Sequence, residues 1–591
     1  MGGDVFEYGR VKELDEGNIP KASMAFIDDD GMVWDGPMFP VDHEAKYTYF
    51  SRMGGFVPTQ VAGDTIFTNP LHYGAGGFEG IRIMRTPYGD GFIELPHNVA
   101  RFVYSSMAFN LSLMRGTMDL FDDSVDHVEH LQRTPREFFA DSEKSLENGN
   151  NVGMGVSIFY KDGRVVDRHV PFKLMAKFLE VNDNGERTIG DREVTLREME
   201  AAVCSLAFLN KLVSGPPFPE GRMDIIKAGY FRPVFWISGE EGLKVPTVMK
   251  NERGELVDKP IYYGIGTLPW GLYLSPEGYA RGLNLLVAPL HRIDESMPVK
   301  QKIAGDYVNS ARNKNIALRL GFDEVLALNH NEEVVEGSAE NIIVLFTNRN
   351  TGAMRAYCPP LSSNILAGTT RDRMLKVLES GVSVSGRKVE LVVAAPKLSF
   401  VLDSLEGKTV WEVSAIVLMG TGAGIVHARS LTHNSELKKW MEVNEFRSEE
   451  QPSDPLVLRR LEETKRTYLI NKGERHPFVV ELEKAYTAYV LGENGSRITP
   501  AYSMDYRVAA ERVFGVDLEE VAGRDFVAKM EWGYFRQKFN GITQPDEITA
   551  RCREADRTIT KMNEISMGRR SKPVEQWMQE HGLKAKQVLS K

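Results

Sequence analysis

The sequence predicts an α/β chain of two mixed blocks followed by a helical region. Three observations carry this. Strand-like and helical patterns alternate through about 20–275, strands and Gly-rich turns dominate about 280–430, and about 433–591 reads as a run of amphipathic helices. At 591 residues, 42% hydrophobic and 26% charged, the chain can bury several cores and has the composition of a soluble globular protein.

The first block, 20–275, contains "HNVARFVYSSMAFNLSL" (97–113), whose apolar spacing places Arg101 on a helix. Within it, about 118–193 reads as an insert. This opens with the acidic "DLFDDSVDHVEH" and continues with "SIFYKDGRVVDRHV", where Asp162-Gly163 between alternating apolar residues predicts a hairpin. "VTLREMEAAVCSLAFLNKLVSG" then predicts a helix from an N-cap at Thr195 to a stop at Gly215. "PVFWISG" and "IYYGIGTLPW" read as strands, the second running into an aromatic bend.

In the second block, 280–430, "DEVLALNHNEEVVEGSAENIIVLF" predicts two strands around an Asn-rich turn, then a third strand. "GTTRDRMLKVLESG" predicts a turn opening a helix that Gly381 ends. "VWEVSAIVLMGTGAGIVHA" (410–428) is the most apolar long run. Glu412 and the closing glycines make it a buried strand entering a turn rather than a membrane span. In the third block, 433–591, "DPLVLRRLEETKRTYLI", "DYRVAAERVFG", "PDEITARCREADRTITKMNEI" and "PVEQWMQEHG" read as amphipathic helices.

The bulk numbers exclude some classes. A net charge of −10 gives no global pull toward nucleic acid or anionic membrane. Cys204, Cys358 and Cys552 lie far apart without a CxxC pair, which argues against a disulfide framework or zinc ribbon; no metal is expected. The start "MGGDVFEYGR" has neither a basic segment nor an apolar run, and Phe6 does not suit myristoylation, so a cytoplasmic setting is expected.

"VKQKIAGDYVNS" (299–310) holds two lysines, and a lone lysine is ordinarily a solvated surface residue. A lysine enzyme using pyridoxal 5'-phosphate (PLP) needs an amine for the cofactor aldehyde, a group facing the ring nitrogen, phosphate donors at a helix start, and donors for a substrate carboxylate. Lys302 is followed by Tyr307, and Glu336 comes thirty-four residues on in "EGSAEN". "GTTR" (368–371) opens a helix and "GTGAG" (420–424) ends an apolar strand. Upstream stand "HYGAGGFEGIR" (72–82), Arg101, "YFRP" (230–233) and "LPWGLY" (268–273). Each alone is weak, since Gly-rich turns are ordinary punctuation and buried aromatics are ordinary core.

Order and spacing together carry more. "HYGAGGFEGIR", "KIAGDYVNS", "EVVEGSAENI", "LAGTTRDR" and "MGTGAGI" resemble, in order and separation, the fold-type IV PLP enzymes and within them the branched-chain amino acid aminotransferases. The resemblance covers about 60–430, interrupted by the insert. It implies a two-domain fold-type IV enzyme, with an N-terminal α/β domain at 20–275, a PLP-binding domain at 280–430, and a helical extension at 433–591 that has no counterpart in the family.

What the resemblance implies for single residues is as follows. Lys302, not Lys300, forms the Schiff base with the cofactor and then shuttles the Cα proton. Tyr307 hydrogen-bonds the phenolic oxygen, and Glu336 rather than Glu340 faces the pyridine nitrogen. Arg101, Thr369, Thr370 and Thr421 hold the phosphate, and Leu366 packs on the ring. Gly422 and Thr421 offer amides to the α-carboxylate, joined by Tyr230. Tyr73, Phe78, Trp270 and Tyr273 wall an apolar pocket, and Arg232 receives the second carboxylate of glutamate. The implied reaction is transamination between a branched-chain or other hydrophobic L-amino acid and 2-oxoglutarate. The small-molecule partners are amino and 2-oxo acids, and the assembly is at least a homodimer. Asp306 stands where asparagine is common, and "GTT" replaces the usual Gly-Ile-Thr. The same fold acting on D-amino acids, primary amines or aminodeoxychorismate is the alternative, and a non-catalytic scaffold is a further one.

Overall fold

The computed structural model describes residues 68–109, 153–209, 224–292, 300–439, 455–492 and 497–500, apart from short breaks, with isolated strands elsewhere. Helices and strands alternate through both main units, so the α/β expectation is borne out.

The first unit is an antiparallel sheet centred on the long strand Asp224–Ile237. That strand pairs on one side with Ile261–Leu268 and on the other with Ile81–Thr86 and Gly76–Phe78. Alternate residues point to one face: Ile81 and Ile83, Phe231 and Phe235, Tyr263 and Ile265 are buried there. Two helices cover this face. Leu95–Ser106 contributes Leu95, Val99, Phe102 and Val103, and Leu196–Leu209 contributes Met199, Ala202, Val203 and Leu206, the spacing of a helix with one apolar stripe. Phe92 meets Phe231 and Phe102 meets Phe235 edge to face, at 5.4 and 5.5 Å between centroids. The helical reading of 97–113 therefore holds through Phe109, and it buries Arg101 against the sheet.

The second unit is a sheet that closes on itself. Val334–Glu336 pairs with Glu324–Leu328 and also with Asn341–Asn348. The ring is completed through Leu283–Val287, Gly424–Asn434 and Trp411–Gly420. Strand Asn341–Asn348 shows why its sequence is apolar without alternation. Ile342, Val344 and Phe346 face the core inside the ring, while Ile343 and Leu345 face a second core outside it. Helix Thr369–Gly381 covers that outer face with Met374, Leu375, Val377 and Leu378. The run 410–428 is a hairpin of two strands, and no helix among the described residues is long and apolar enough to cross a membrane.

Two segments differ from their sequence reading. The insert was expected to reach 193, but the hairpin Leu174–Val181 and Arg187–Val194 places Leu174, Ala176, Phe178 and Val194 in the first core, with Phe178 edge-on to Tyr263 at 5.7 Å. The expected hairpin at Asp162-Gly163 is present, with Gly163 at φ +85°.

The second difference is at the C-terminal side. "DPLVLRRLEETKRTYLI" is helical only over Pro455–Thr464; Lys465–Leu469 is a strand on the edge of Gly424–Asn434. Thr432 and Thr467 face each other across that pair with hydroxyls 2.9 Å apart, a cross-strand contact that outweighs helical periodicity. A further helix, Pro477–Leu491, lays Phe478, Val479, Leu482, Tyr486 and Val490 on the outer core beside Thr369–Gly381. His476 caps it, its Nδ1 accepting the Phe478 amide at 3.1 Å. The helices expected at 505–515 and 545–565 lie outside the described residues, as does that expected at 573–582 apart from Pro573, which ends the short strand Lys572–Pro573.

Candidate active site

The site forms where the two units meet, and its centre is Lys302. Its amide donates to Ser105 Oγ at 2.9 Å, and its carbonyl accepts from the Phe78 amide at 3.0 Å. Ser105 Oγ donates to the Arg101 carbonyl at 2.8 Å, so the helix Leu95–Ser106 grips the lysine backbone directly. Gly77 permits the approach, since a Cβ there would stand 2.8 Å from the Lys302 carbonyl. The short turn Ala304–Tyr307 then carries Tyr307 back so that its hydroxyl lies 2.6 Å from Lys302 Nζ. The amine also faces the Phe78 and Tyr307 rings, at 4.8 and 4.9 Å from their centroids. Lys300 is exposed.

Glu336 ends the strand Val334–Glu336 with both carboxylate oxygens engaged. Oε1 pairs with Arg292 Nε, and Oε2 accepts from Asn341 Nδ2 and the Leu366 amide, each at 3.3 Å. Arg292 also donates to the Asn364 carbonyl. Burial pushes the Arg292 guanidinium down to about 10, against the opposing pull of Tyr307 and Asp306. Asp306 is 3% exposed, and neither of its oxygens has a hydrogen-bond partner. Burial pushes its carboxyl up to about 6, although Arg292 draws it down. Glu340, the second glutamate of "EGSAEN", is raised by burial and by neighbouring Glu324, which pairs with Lys314.

Arg101 is held by Glu79, which the sequence reading did not single out. Arg101 Nε and Nη2 donate to the two Glu79 oxygens at 2.7 and 2.5 Å, and Nη1 donates to the Ala367 carbonyl at 3.0 Å. Burial alone would raise the Glu79 carboxyl, but Arg101 holds it below the usual range. Arg101 has five N–H groups, so two remain for a ligand. Ala367 leads into the helix that starts at Thr369, and Thr369 and Thr370 are both buried in its first turn. Thr369 Oγ1 is buried with no hydrogen-bond partner. A cavity runs beside this helix start, lined by Arg82, Asn98, Thr370, Arg373, Thr421 and Tyr486. Thr421 and Gly422 sit in the turn joining Trp411–Gly420 to Gly424–Asn434, and the Gly422 carbonyl accepts from Arg82 Nη1 at 2.5 Å.

On the other side of Lys302, Arg232 donates to the Tyr230 hydroxyl at 3.0 Å and lies 4.7 Å over the Phe78 ring. Its Nε is buried without a hydrogen-bond partner. Gly80 lets this group form, because a Cβ there would collide with the Tyr230 hydroxyl. Tyr230, expected at the α-carboxylate, shares Arg232 with Phe78, one of the residues expected to wall the pocket, whereas Tyr73, another, is 45% exposed at the end of Asn69–Tyr73 with its ring near His72. Trp270 and Tyr273 lie outside the described residues. Among the described residues no cluster of His, Cys, Asp or Glu could hold a metal ion.

The structure thus gathers an amine beside a phenol, a carboxylate held by three donors, and a helix start with a free hydroxyl next to arginines. That donor set suits a ligand with an aldehyde, a basic ring nitrogen and a phosphate. Ser105, Glu79 and Arg292 complete it. Glu79 stands inside "FEGIR", but Ser105 and Arg292 had no local pattern to mark them.

Residues 246–431 match the family of class IV amino-transferases. The chain is 31% identical over 150 residues to the branched-chain-amino-acid aminotransferase of Escherichia coli (strain K12), covering 24% of this chain and 45% of that protein. It is 34% identical over 131 residues to the probable branched-chain-amino-acid aminotransferase of Aquifex aeolicus (strain VF5), covering 22% and 39%. The chain therefore spans less than half the length of these relatives. Among solved structures, the branched-chain aminotransferase of the archaeon Thermoproteus uzoniensis aligns over 77% of this chain and 99% of its own, at 19% identity and a TM-score of 0.41. The class IV match holds Lys302, Tyr307, Glu336, Thr369 and Thr421, so the resemblance read from the motifs is borne out there; Phe78 and Arg101 lie upstream of it.

Proposed function

We propose that this chain, similar over 246–431 to class IV amino-transferases, is a PLP-dependent aminotransferase that exchanges amino groups between a branched-chain or other hydrophobic L-amino acid and 2-oxoglutarate. The observation that carries it is Lys302 Nζ at 2.6 Å from the Tyr307 hydroxyl, with Glu336 fixed by Arg292, Asn341 and the Leu366 amide. PLP supplies the electron sink that allows an amino acid Cα–H bond to break.

The chain's own residues supply the rest. Lys302 would hold the cofactor through its aldehyde and, as a free amine, would take the proton from the amino acid Cα and give one back to the Cα of the 2-oxo acid that accepts the amino group. Tyr307 holds that amine in place and orients it. Glu336, paired with Arg292, would face the ring nitrogen and hold a proton on it. Arg101 is fixed by Glu79 in advance and offers its remaining N–H groups to the phosphate, with Thr369, Thr370 and Thr421 adding donors at a helix start. Phe78 and Tyr230 exclude water from the substrate side. Arg232, which donates to the Tyr230 hydroxyl, receives the acceptor's second carboxylate, which lets one pocket serve leucine-like and glutamate-like molecules. Tyr73 stands exposed in a single chain, and a homodimer would give it a surface to pack on.

A donor and acceptor screen on purified protein tests this reading. We expect 2-oxo acids from leucine, isoleucine or valine with 2-oxoglutarate, and none from Lys302→Ala. Turnover confined to D-alanine or a primary amine, or normal turnover in Lys302→Ala, would overturn it.

A further inference from the structure

The segment after residue 431 reaches the candidate active site from outside the class IV match. Strand Ile498–Pro500 pairs with Gly89–Ile93, adding an edge to the first sheet. Gly91 admits it, since a Cβ there would stand 2.5 Å from Ile498 Cγ2 and 2.6 Å from the Thr499 carbonyl oxygen. Just before this strand, the Arg497 carbonyl accepts from the Glu94 amide at 3.1 Å, and Arg497 Nη1 donates to Glu94 Oε1 at 2.8 Å. The Arg497 guanidinium also lies 4.2 Å over the Tyr489 ring of the helix Pro477–Leu491.

Glu94 is where three elements meet. It immediately precedes the helix Leu95–Ser106 that carries Arg101 and Ser105, and it adopts the left-handed conformation at φ 45°. That conformation is uncommon for a glutamate and persists only when its surroundings hold it. Its Oε2 accepts from Arg373 Nε at 2.6 Å and lies 3.1 Å from His97 Nδ1. Arg373 belongs to the helix that starts at Thr369, and its Nη2 also donates to the Ile93 carbonyl at 3.1 Å. Glu94 and Arg373 are both buried, with 5% and 4% of their side chains exposed. Burial would raise the Glu94 carboxyl, but His97 and Arg373 hold it far below the usual range. The C-terminal helix completes the arrangement, packing on the Thr369 helix and placing Tyr486 in the same cavity as Arg373, Thr370 and Thr421.

From this geometry we propose that Glu94 is a positioning residue, clamped between Arg373 and Arg497, and that residues 477–491 and 497–500 are thereby part of the active-site frame. The clamp sets the Arg101 helix against the Thr369 helix. The two helices bear the groups that hold the cofactor phosphate, and in that respect the proposal rests on the function given above. A merely peripheral C-terminal segment would have no reason to bring a guanidinium onto a buried carboxylate that joins both helices.

The test uses the full chain with Arg497→Ala, the conservative Arg497→Lys, and Arg459→Ala as reference. Arg459 forms an exposed ion pair with Glu463 elsewhere in the C-terminal region. PLP affinity is read from the visible absorbance on titration, and amide hydrogen exchange is read by peptide. We expect Arg497→Ala to bind PLP about tenfold more weakly, the effect of losing one charged hydrogen bond. Exchange should rise in 95–106 and 369–381 and stay unchanged in the strands of the second unit. Arg497→Lys should recover part of both, and Arg459→Ala should match the wild type. Should Arg497→Ala fail to fold, Arg497→Gln, which keeps the stem over Tyr489, takes its place. Unchanged affinity and exchange, or a uniform rise in exchange across the protein, would overturn the clamp. If the wild type takes up no PLP, the proposed function fails, while the exchange measurement still decides the clamp.

Discussion

Glu79 closes on Arg101 with both carboxylate oxygens, at 2.7 and 2.5 Å, in a setting where Glu79 is fully buried and Arg101 is 4% exposed. Two charges removed from water depend on each other, and taking away one leaves the other uncompensated. Glu79→Gln should therefore lower stability by about 3–5 kcal/mol, seen as a shift in the urea midpoint at pH 7. Arg101→Met should cost a similar amount, and the double variant less than the two together. Additive losses would show that the pair is not a unit. Because Arg101 holds the Glu79 carboxyl below its ordinary value of 4.5, this contribution is present above that pH and lost as pH falls further.

Asp306 behaves in the opposite sense. It is buried with both oxygens unpartnered, and its carboxyl is pushed up to about 6 from 3.8. The folded state then binds more protons than the unfolded one between these values, so its effect on stability worsens as pH rises through that window. Asp306→Asn should leave stability unchanged below about pH 4 and raise it by up to about 3 kcal/mol above pH 7. Urea unfolding of both proteins at several pH values checks this. An unchanged gap across the range would mean that Asp306 is not the titrating group.

Ser105 links the helix of Arg101 to the backbone of Lys302, its Oγ donating to the Arg101 carbonyl and accepting from the Lys302 amide. Ser105→Ala leaves the Lys302 amide without this partner and should cost about 1–3 kcal/mol. The larger consequence is positional, since the amine must sit within hydrogen-bond reach of the proton it moves. We expect kcat to fall by about tenfold or more with KM for the amino donor nearly unchanged. Steady-state kinetics with leucine reads this directly, and a change confined to KM would contradict it.

Where the sequence was legible, the reason was local chemistry. The glycines of "HYGAGGFEGIR" mark close approaches, at Gly77 to the Lys302 carbonyl and at Gly80 to Tyr230. The apolar runs 341–346 and 413–419 are strands buried on both faces, and Thr369 does start a helix. What escaped was set by tertiary pairing. Arg292 meets Glu336 across forty-four residues, and Arg497 meets Glu94 across four hundred and three. Lys465–Leu469 carries a helix-like pattern but pairs as a strand because Gly424–Asn434 offers it an edge. Asp306 was visible as an oddity in the motif, yet its meaning depends on a buried setting that only the fold supplies.

In the proposed reaction, Arg232 would separate the two halves. Its guanidinium lies 4.7 Å over Phe78 and 5.1 Å over Tyr230, donates to the Tyr230 hydroxyl at 3.0 Å, and keeps Nε buried without a hydrogen-bond partner. A buried donor without a partner favours an incoming carboxylate, and a planar guanidinium can take both of its oxygens. A leucine side chain makes no such demand and needs only the apolar walls. Arg232→Met keeps a similar stem over Phe78 and removes the donors. It should raise KM for 2-oxoglutarate by about 100-fold, the scale of a lost charged hydrogen bond of about 2–3 kcal/mol. The half-reaction with leucine should stay within about threefold of the wild type. Single-turnover measurements of each half-reaction, followed by the cofactor's visible absorbance, read the two separately. Equal losses in both would mean that Arg232 supports the pocket as a whole, and selective loss with leucine would reverse the assignment of its role.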